Sequence, residues 1–204
     1  MSDHALLASA QNSLIVAAGS TAIATVLGVA AALSVERLPS RGRRVIDAGL
    51  VLPLVIPEIM LGVSLMLLFT TVKLPLSLFT VIVGHVVFNL PVVMVIVRAR
   101  LHKLDPRLEE AASDLGATPW QAFRRVTLPL LAPAIAGAVL MAFTISLDDF
   151  IVTFFTGGPG STTLPLKVYS MIKSGVSPVI NALSAVLVLI SMALIGLSMV
   201  FQRK

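Results

Sequence analysis

Five long apolar runs alternate with shorter polar segments, and this pattern constrains the fold more than any other feature of the sequence. The runs cover about residues 14–35, 45–72, 76–97, 130–156 and 179–201. An α-helix needs about 20 predominantly apolar residues to cross the hydrocarbon of a bilayer. Each run reaches that length, and none shows the two-residue alternation of a transmembrane β-strand. The sequence therefore predicts an all-α membrane protein with five transmembrane helices.

Two of the runs, residues 45–72 and 130–156, are longer than a bilayer requires, which predicts tilt, a kink or extension beyond it. The first of these contains Pro53 and Pro57. Because proline lacks the backbone N–H and its ring clashes with the preceding turn, we expect a bend near the middle of this helix.

Lysine and arginine residues are distributed unequally between the two sides that these spans imply. With the N-terminus placed outside, only Lys73, Lys167 and Lys173 lie outside, and the rest of the 15 basic residues lie on the cytoplasmic side. Cytoplasmic loops of membrane proteins carry an excess of Lys and Arg. The bias predicts an external N-terminus, a cytoplasmic C-terminus and a cytoplasmic loop over residues 98–129.

The longest polar segment, Glu110–Pro129, lies within this cytoplasmic loop and has the local signals of a helical hairpin. Asp105 is a suitable N-cap and Pro106 suits the first helical position, which predicts a helix from Pro106 to about Leu115. Gly116 follows where a left-handed C-terminal cap residue is required.

A second short helix is predicted directly after that cap. Thr118-Pro119-Trp120-Gln121 has the pattern of a capping box with proline at the first helical position. Pro129 and Pro133 are expected to close this helix before the next apolar run. The predicted hairpin lies on the cytoplasmic membrane surface, where Trp120 is either an interfacial anchor or a contact for a partner.

The hairpin contains Glu110-Ala111-Ala112, Gly116, Leu128 and Pro129 at fixed spacing. This pattern resembles the EAA motif of the membrane subunits of binding-protein-dependent ABC importers, and the one departure is Val126, where isoleucine is commoner. The resemblance implies a single permease domain over residues 1–204 with the type I ABC importer permease fold. It also implies that these matching residues couple the chain to a groove on a separate ATPase subunit.

Six further segments carry a second resemblance: Pro57-Glu58-Ile59, Ser146-Leu147-Asp148-Asp149-Phe150, Gly158-Pro159-Gly160, Thr162-Thr163-Leu164-Pro165, Gly175-Val176-Ser177-Pro178 and Ile180-Asn181-Ala182-Leu183. They are similar to the spermidine/putrescine permease subunits, most of all to the second of that importer's two permeases. The resemblance covers the chain from about Asn12 and implies polyamine import. This chain departs from that family at Val179, where the family usually has Glu, and at its start, where the family usually has one more helix before the first one here.

Glu58 and His85 lie near the centres of the second and third runs. A charge at the bilayer centre costs roughly 2.5–3.5 kcal/mol on insertion scales, so Glu58 should face the bundle interior or water. Two interpretations stay open. The pair forms a polar point on a cation path, with the two side chains hydrogen-bonded to each other, or both are structural, with Glu58 bonded to backbone groups that Pro57 releases.

Asp148, Asp149 and Phe150 are expected in the outer part of the fourth run. Adjacent helical positions point about 100° apart, so at most one of the two carboxylates faces the substrate path. They either attract a polycation arriving from outside or are interfacial carboxylates in water or against a partner loop. Phe150 is a candidate cation–π wall for such a substrate.

The sequence contains no recognisable catalytic set. The HExxH and GxSxG patterns are absent, and Gly157–Gly160 is not followed by the Lys-Ser/Thr of a phosphate-binding loop. There is no cysteine, so disulfide and thiol chemistry are excluded. We therefore expect a transport subunit without a cofactor of its own, with ATP and Mg²⁺ bound by the partner ATPase.

Together these observations predict a permease subunit of a bacterial inner-membrane ABC importer that moves polyamines inward by alternating access. The expected partners are ATPase subunits, a second permease, an extracytoplasmic substrate-binding protein and membrane lipid. The basic residues lie beside the spans, which argues against nucleic acid as a partner. The alternatives are an importer of an iron, thiamine or phosphonate compound, an intramembrane enzyme using Glu58 and His85, and a scaffold without transport activity.

Overall fold

The computed structural model describes residues 3–36, 38–105, 107–174 and 178–203, and every regular element in these ranges is helical. This confirms the predicted all-α class. In chain order the helices are α1 (Asp3–Glu36), α2 (Ser40–Val55), α3 (Glu58–Thr71), α4 (Leu78–Leu101), α5 (Arg107–Asp114), α6 (Pro119–Ala122), α7 (Leu128–Asp148), α8 (Ile151–Thr156), α9 (Leu164–Ser174) and α10 (Pro178–Arg203).

Four helices in the described ranges are long and apolar enough to cross a membrane. They are α1, α4, a continuous helix from Pro119 to Asp148, and α10. α2 and α3 meet the same criterion only together, as a pair bent by 106°, and counting the pair as one span gives five. Each predicted apolar run thus coincides with an element, or a bent pair, whose length and composition would allow it to cross a membrane.

The bend predicted in the second run is a complete break. α2 ends at Val55, Ile56 and Pro57 take extended backbone angles, and α3 begins at Glu58. A residue before proline is pushed out of the helical region, and the proline itself offers no N–H to continue the helix. Glu58 therefore lies at the junction of the bent pair, as an exposed residue in the first turn of a new helix and not inside one continuous helix.

The prediction of a separate second short helix in the hairpin segment, which Pro129 and Pro133 would close, is wrong. α6 passes through a π-helical segment, Phe123–Thr127, directly into α7, and the whole helix has 30 residues. At the end of that segment the N–H of Leu128 donates to the carbonyl of Phe123, one residue further back than in an α-helix. The wider π turn gives the ring of Pro129 space that an α-helical turn would deny it.

The fourth run, expected to be one span over residues 130–156, is divided. α7 ends at Asp148, and α8 resumes at Ile151 after an extended Asp149. The Asp149 carboxylate accepts hydrogen bonds from the N–H groups of Val152 at 3.3 Å and Thr153 at 2.9 Å. Because a short acidic side chain can satisfy backbone donors in place of the helix, it can end one helix and start another.

The core lies where α1, α4 and α7 pack against one another. Seven apolar residues are buried there: Ala32, Val93, Met94, Val97, Leu131, Ala138 and Ala142. A smaller cluster joins α3 to α8. α1 approaches α4 closely at Gly28, where an added Cβ would lie 2.8 Å from Val93 Cβ and 2.9 Å from the carbonyl oxygen of Leu90.

This close approach makes Gly28 a test of the helix packing. We expect Gly28→Ala to lower the free energy of unfolding by about 1–3 kcal/mol, because the core must shift to admit the methyl group. The matched control is Gly196→Ala in α10, where an added Cβ meets nothing within 4 Å. Reversible unfolding in mixed micelles measures both, and equal stabilities of the two variants would contradict the packing described.

Candidate functional site

A cleft of about 480 Å³ lies where α3 begins, α7 ends and α10 passes by. Three of the predicted site residues contribute carboxylates to its lining, namely Glu58, Asp148 and Asp149. The remaining wall is mainly apolar and carries two hydroxyl groups. It consists of Met141, Thr144, Ile145, Phe150, Ile151, Ser191 and Ile195. A wall of this composition can bind an organic cation that has an apolar body.

The three carboxylates are not equivalent. Glu58 and Asp148 are exposed, whereas the side chain of Asp149 has only 6% of its surface accessible. Of the two adjacent aspartates, Asp148 is thus the one that presents its charge to the cleft. Glu58 lies near the centre of the second apolar run and the two aspartates near the end of the fourth, and in the structure all three line one cleft.

His85 lies outside the lining of this cleft and is completely buried. Its Nδ1 lies 2.6 Å from Ser146 Oγ, and its Nε2 lies 3.0 Å from Thr153 Oγ1 and 3.1 Å from Asp149 Oδ2. The expected hydrogen bond between His85 and Glu58 is therefore absent. The break at Pro57 places Glu58 in the first turn of a separate helix, while His85 faces α7 and α8.

The polar contacts of His85 continue through the bundle as a buried network. Ser146 Oγ lies 3.0 Å from Ser20 Oγ on α1, and Thr153 Oγ1 donates to Asp149 Oδ2 at 3.0 Å. The network joins α1, α4, α7 and α8. Sequence reasoning missed the roles of Ser20 and Thr153, although Thr153 lies four residues after Asp149, which is the spacing of neighbours along a helix.

Aromatic rings gather at Phe150, beside the cleft. Its ring centroid lies 4.7 Å from that of Tyr169 and 5.7 Å from that of Phe154. The Nζ atom of Lys173 lies 5.1 Å from the centroid of Tyr169, so this group of rings already contacts one cation of the chain.

The hairpin contains the cap predicted from Gly116. The φ angle of Gly116 is +86°, its N–H donates to the carbonyl of Ser113 at 2.9 Å, and that of Ala117 donates to Ala112 at 3.0 Å. This pair of bonds is a Schellman motif, which ends a helix at a left-handed residue. The capping box at Thr118 is also present, with Gln121 as its partner.

Apolar and motif residues of the hairpin are exposed together. Leu115 has 91% and Trp120 66% of its surface accessible. Glu110, Gly116 and Pro129 are exposed as well. On the other side of α5 the hydroxyl of Thr127 donates to the carboxylate of Glu109, which ties this helix to the π-helical segment. The hairpin is thus held by its own chain on one side and open to a partner on the other.

An ion-pair network that sequence reasoning missed joins the C-terminal ends of α1 and α4 to the first half of α2. Glu36 Oε1 accepts hydrogen bonds from Arg43 Nη2 at 2.6 Å and Arg98 Nε at 2.8 Å, and lies 2.8 Å from His102 Nε2. Arg98 also pairs with Asp47. These contacts hold the start of α2 against the other two helices.

Some predicted features lie outside the described residues. They are Pro106 at the start of α5, the Gly175-Val176-Ser177 segment with its cap, and the side chain of Val179. The expected cap at the start of α5 is present as far as described, since Asp105 Oδ1 accepts from the N–H of Arg107 at 3.0 Å. No cluster of potential metal ligands occurs in the part of the chain that the structure describes.

Comparison with known sequences matches residues 24–204 to the family described as binding-protein-dependent transport system inner membrane component. The spermidine/putrescine transport system permease protein PotC of Escherichia coli K12 is 38% identical over 203 residues, covering 100% of this chain and 77% of PotC. The putrescine transport system permease protein PotI of the same strain is 40% identical over 201 residues, covering 95% of this chain and 71% of PotI.

Solved structures share the architecture. An inward-facing MetNI methionine ABC transporter superposes with a TM-score of 0.82 at 21% identity, covering 100% of this chain and 98% of that chain. A bacterial ABC transporter that imports the acidic polysaccharide alginate gives a TM-score of 0.75 at 17% identity, covering 97% and 78%. At these identities the comparison establishes the ABC importer permease fold.

Proposed function

The chain belongs to the binding-protein-dependent family of inner-membrane transport components, and from that premise we propose that it is a permease subunit of an ATP-driven polyamine importer. The observation that carries the proposal is the apolar cleft with two exposed carboxylates, Glu58 and Asp148. The two relatives PotC and PotI, whose names give spermidine and putrescine as transported solutes, support the same substrate class.

The chemistry of the cleft suits a polyamine. Such a molecule carries ammonium groups separated by short hydrocarbon chains. Glu58 and Asp148 offer charge-assisted hydrogen bonds to the ammonium groups. Met141 and Ile145 offer apolar contact to the methylene groups between them, and Phe150 adds a cation–π contact of about 0.5–2 kcal/mol.

The proposed cycle uses partners that this chain needs for transport. An extracytoplasmic binding protein delivers the substrate, a second permease completes the path, and a pair of ATPase subunits binds ATP and Mg²⁺. Binding of ATP closes the ATPase pair and moves the hairpin. The continuous helix Pro119–Asp148, about 45 Å long at 1.5 Å per residue, carries that motion to the cleft, because it begins in the hairpin and ends at a cleft carboxylate.

The competing functions have less support. An intramembrane enzyme using Glu58 and His85 would need both side chains in one site. Glu58 lines the cleft, whereas His85 is buried against Ser146 and Thr153. An importer of an anionic phosphonate compound would place a negative substrate against exposed carboxylates. The negative charge of the cleft also suits an iron or thiamine compound, and the uptake test below separates an importer of such a compound from a polyamine importer.

The orientation that goes with this function has the N-terminus outside and the C-terminus in the cytoplasm. Lys173, on the outer side, and Arg125, on the hairpin, are both exposed, and the natural chain contains no cysteine. We expect a membrane-impermeant thiol reagent to label Lys173→Cys in intact spheroplasts and Arg125→Cys only after permeabilisation. The reverse pattern would overturn the orientation.

The carboxylates are tested by neutral substitutions of the same shape. We expect Glu58→Gln and Asp148→Asn each to lower putrescine uptake about tenfold, since a hydrogen bond to a charged group contributes about 1.5–3 kcal/mol. Uptake is measured in proteoliposomes that contain the assembled complex with its binding protein. Basal ATP hydrolysis is the control and should not change. Uptake at the wild-type rate by both variants would contradict the assignment of Glu58 and Asp148 as groups that bind the transported cation.

The hairpin is tested by comparing two glycines that have similar left-handed φ angles. Gly116 and Gly160 have φ angles of +86° and +80°, and an added Cβ at either meets nothing within 4 Å. Gly116→Val and Gly160→Val therefore carry similar conformational penalties, of about 1–2 kcal/mol. We expect only Gly116→Val to lose co-purification of the ATPase, with membrane insertion retained in both. Unchanged ATPase association in Gly116→Val would contradict the docking role.

A further inference from the structure

His85 is the centre of a polar cluster inside the helix bundle, behind the wall of the cleft. We propose that His85 is a positioning residue for cation transfer. It fixes Asp149, and through it the break between α7 and α8, so that Asp148 and Phe150 stand on the cleft wall. The role in transfer rests on the proposed function, whereas the role in fixing the break does not.

The carboxylate of Asp149 already has its hydrogen-bond partners within its own chain. Its Oδ2 accepts from the N–H and the hydroxyl of Thr153, at 2.9 and 3.0 Å, and lies 3.1 Å from His85 Nε2. Its Oδ1 accepts from the N–H of Val152 at 3.3 Å. A carboxylate has about four acceptor positions, so these contacts leave Asp149 little capacity for an incoming ammonium group.

The position of Asp149 sets the position of its neighbours. Asp148 is the last residue of α7, and Phe150 is the residue just before α8. Both line the cleft. If the carboxylate of Asp149 left its partners, the backbone of residues 148–150 would lose the contacts that define its path. The two neighbours would then lose their places on the wall.

His85 supplies a fixed point on another helix. Its Nδ1 is held by Ser146 of α7, and its Nε2 faces the carboxylate and hydroxyl at the start of α8. An ionised carboxylate only accepts hydrogen bonds, so Nε2 is the donor in that contact. The imidazole thus spans the break, with one nitrogen on each side of it.

α8 is also tightly seated against α4 on either side of this contact. An added Cβ at Gly84 would lie 2.9 Å from Val152 Cγ1. Further out, Thr80 Oγ1 donates to the carbonyl of Thr156 at 2.7 Å. Because these contacts hold the rest of α8, removing the His85 contact is expected to loosen the break locally and to leave the bundle folded.

Two amide substitutions distinguish the contributions of the two imidazole nitrogens. In His85→Gln the amide nitrogen stands the same number of bonds from the backbone as Nε2, so it can still donate to Asp149. In His85→Asn the amide nitrogen corresponds to Nδ1, so it can reach Ser146 but leaves Asp149 without this partner. Both variants are neutral and carry the same functional group.

A reporter that involves no substrate follows the break itself. Val152 is completely buried, and Val152→Cys introduces the only thiol into the chain. We expect the cysteine introduced at Val152 to be labelled slowly when His85 is unchanged or replaced in His85→Gln, and at least tenfold faster in His85→Asn. The matched control is Asn89→Leu, which removes another fully buried polar side chain of α4, one without a hydrogen-bond partner among the described residues. It should leave labelling slow.

Uptake of putrescine by the assembled complex in proteoliposomes gives the functional readout. We expect His85→Asn to lower the maximal rate at least tenfold without changing the KM for loaded binding protein or basal ATP hydrolysis. His85→Gln should stay within about twofold of wild type. Asp149→Asn should behave like His85→Asn, and combining the two should add nothing, because both act through one contact.

Failure of this proposal can be told from failure of the proposed function. Equal labelling and uptake in His85→Asn and His85→Gln would overturn the positioning role, as would fast labelling together with wild-type uptake in His85→Asn. A wild-type complex that takes up no putrescine would overturn the polyamine function, while the labelling rates would still decide whether His85 fixes the break.

Discussion

Backbone hydrogen bonding inside the bilayer is the constraint on which this structure depends. Hydrocarbon offers no partner for an unpaired N–H or C=O group, so a span can be interrupted only where another group takes over. At the first interruption Pro57 has no N–H to satisfy. At the second, the Asp149 carboxylate receives the N–H groups of Val152 and Thr153. Each interruption brings an exposed carboxylate, Glu58 or Asp148, to the cleft.

The buried carboxylate of Asp149, which accepts the free N–H groups at the second interruption, in turn requires partners of its own. His85 and the Thr153 hydroxyl provide them, and Ser146 and Ser20 extend the network to α7 and α1. A polar network in a low-dielectric interior rigidifies the structure when its members are satisfied. The same helix that ends at this network begins in the hairpin, so the hairpin and the cleft are joined by one element.

The features predicted correctly from sequence are those that local spacing determines. The apolar runs gave the helical class, Gly116 gave the left-handed cap, and Thr118 gave the capping box. Errors arose where local spacing carries no signal. The apolar run around Glu58 shows no sign of how sharply it bends. The π turn that admits Pro129 has no sequence signal of its own, and the contact between His85 and Asp149 joins residues from different spans. The roles of the cleft and hairpin residues in transport stay predictions.

The central claim is that exposed carboxylates at the two interruptions hold the substrate cation. The most direct measurement is the structure of the assembled complex determined by electron cryomicroscopy with putrescine trapped inside, using an ATPase variant that binds but does not hydrolyse ATP. We expect an ammonium group within about 2.7–2.9 Å of a carboxylate oxygen of Asp148 or Glu58. The methylene chain should lie against Met141 and Ile145. Substrate density away from both carboxylates would contradict the central claim.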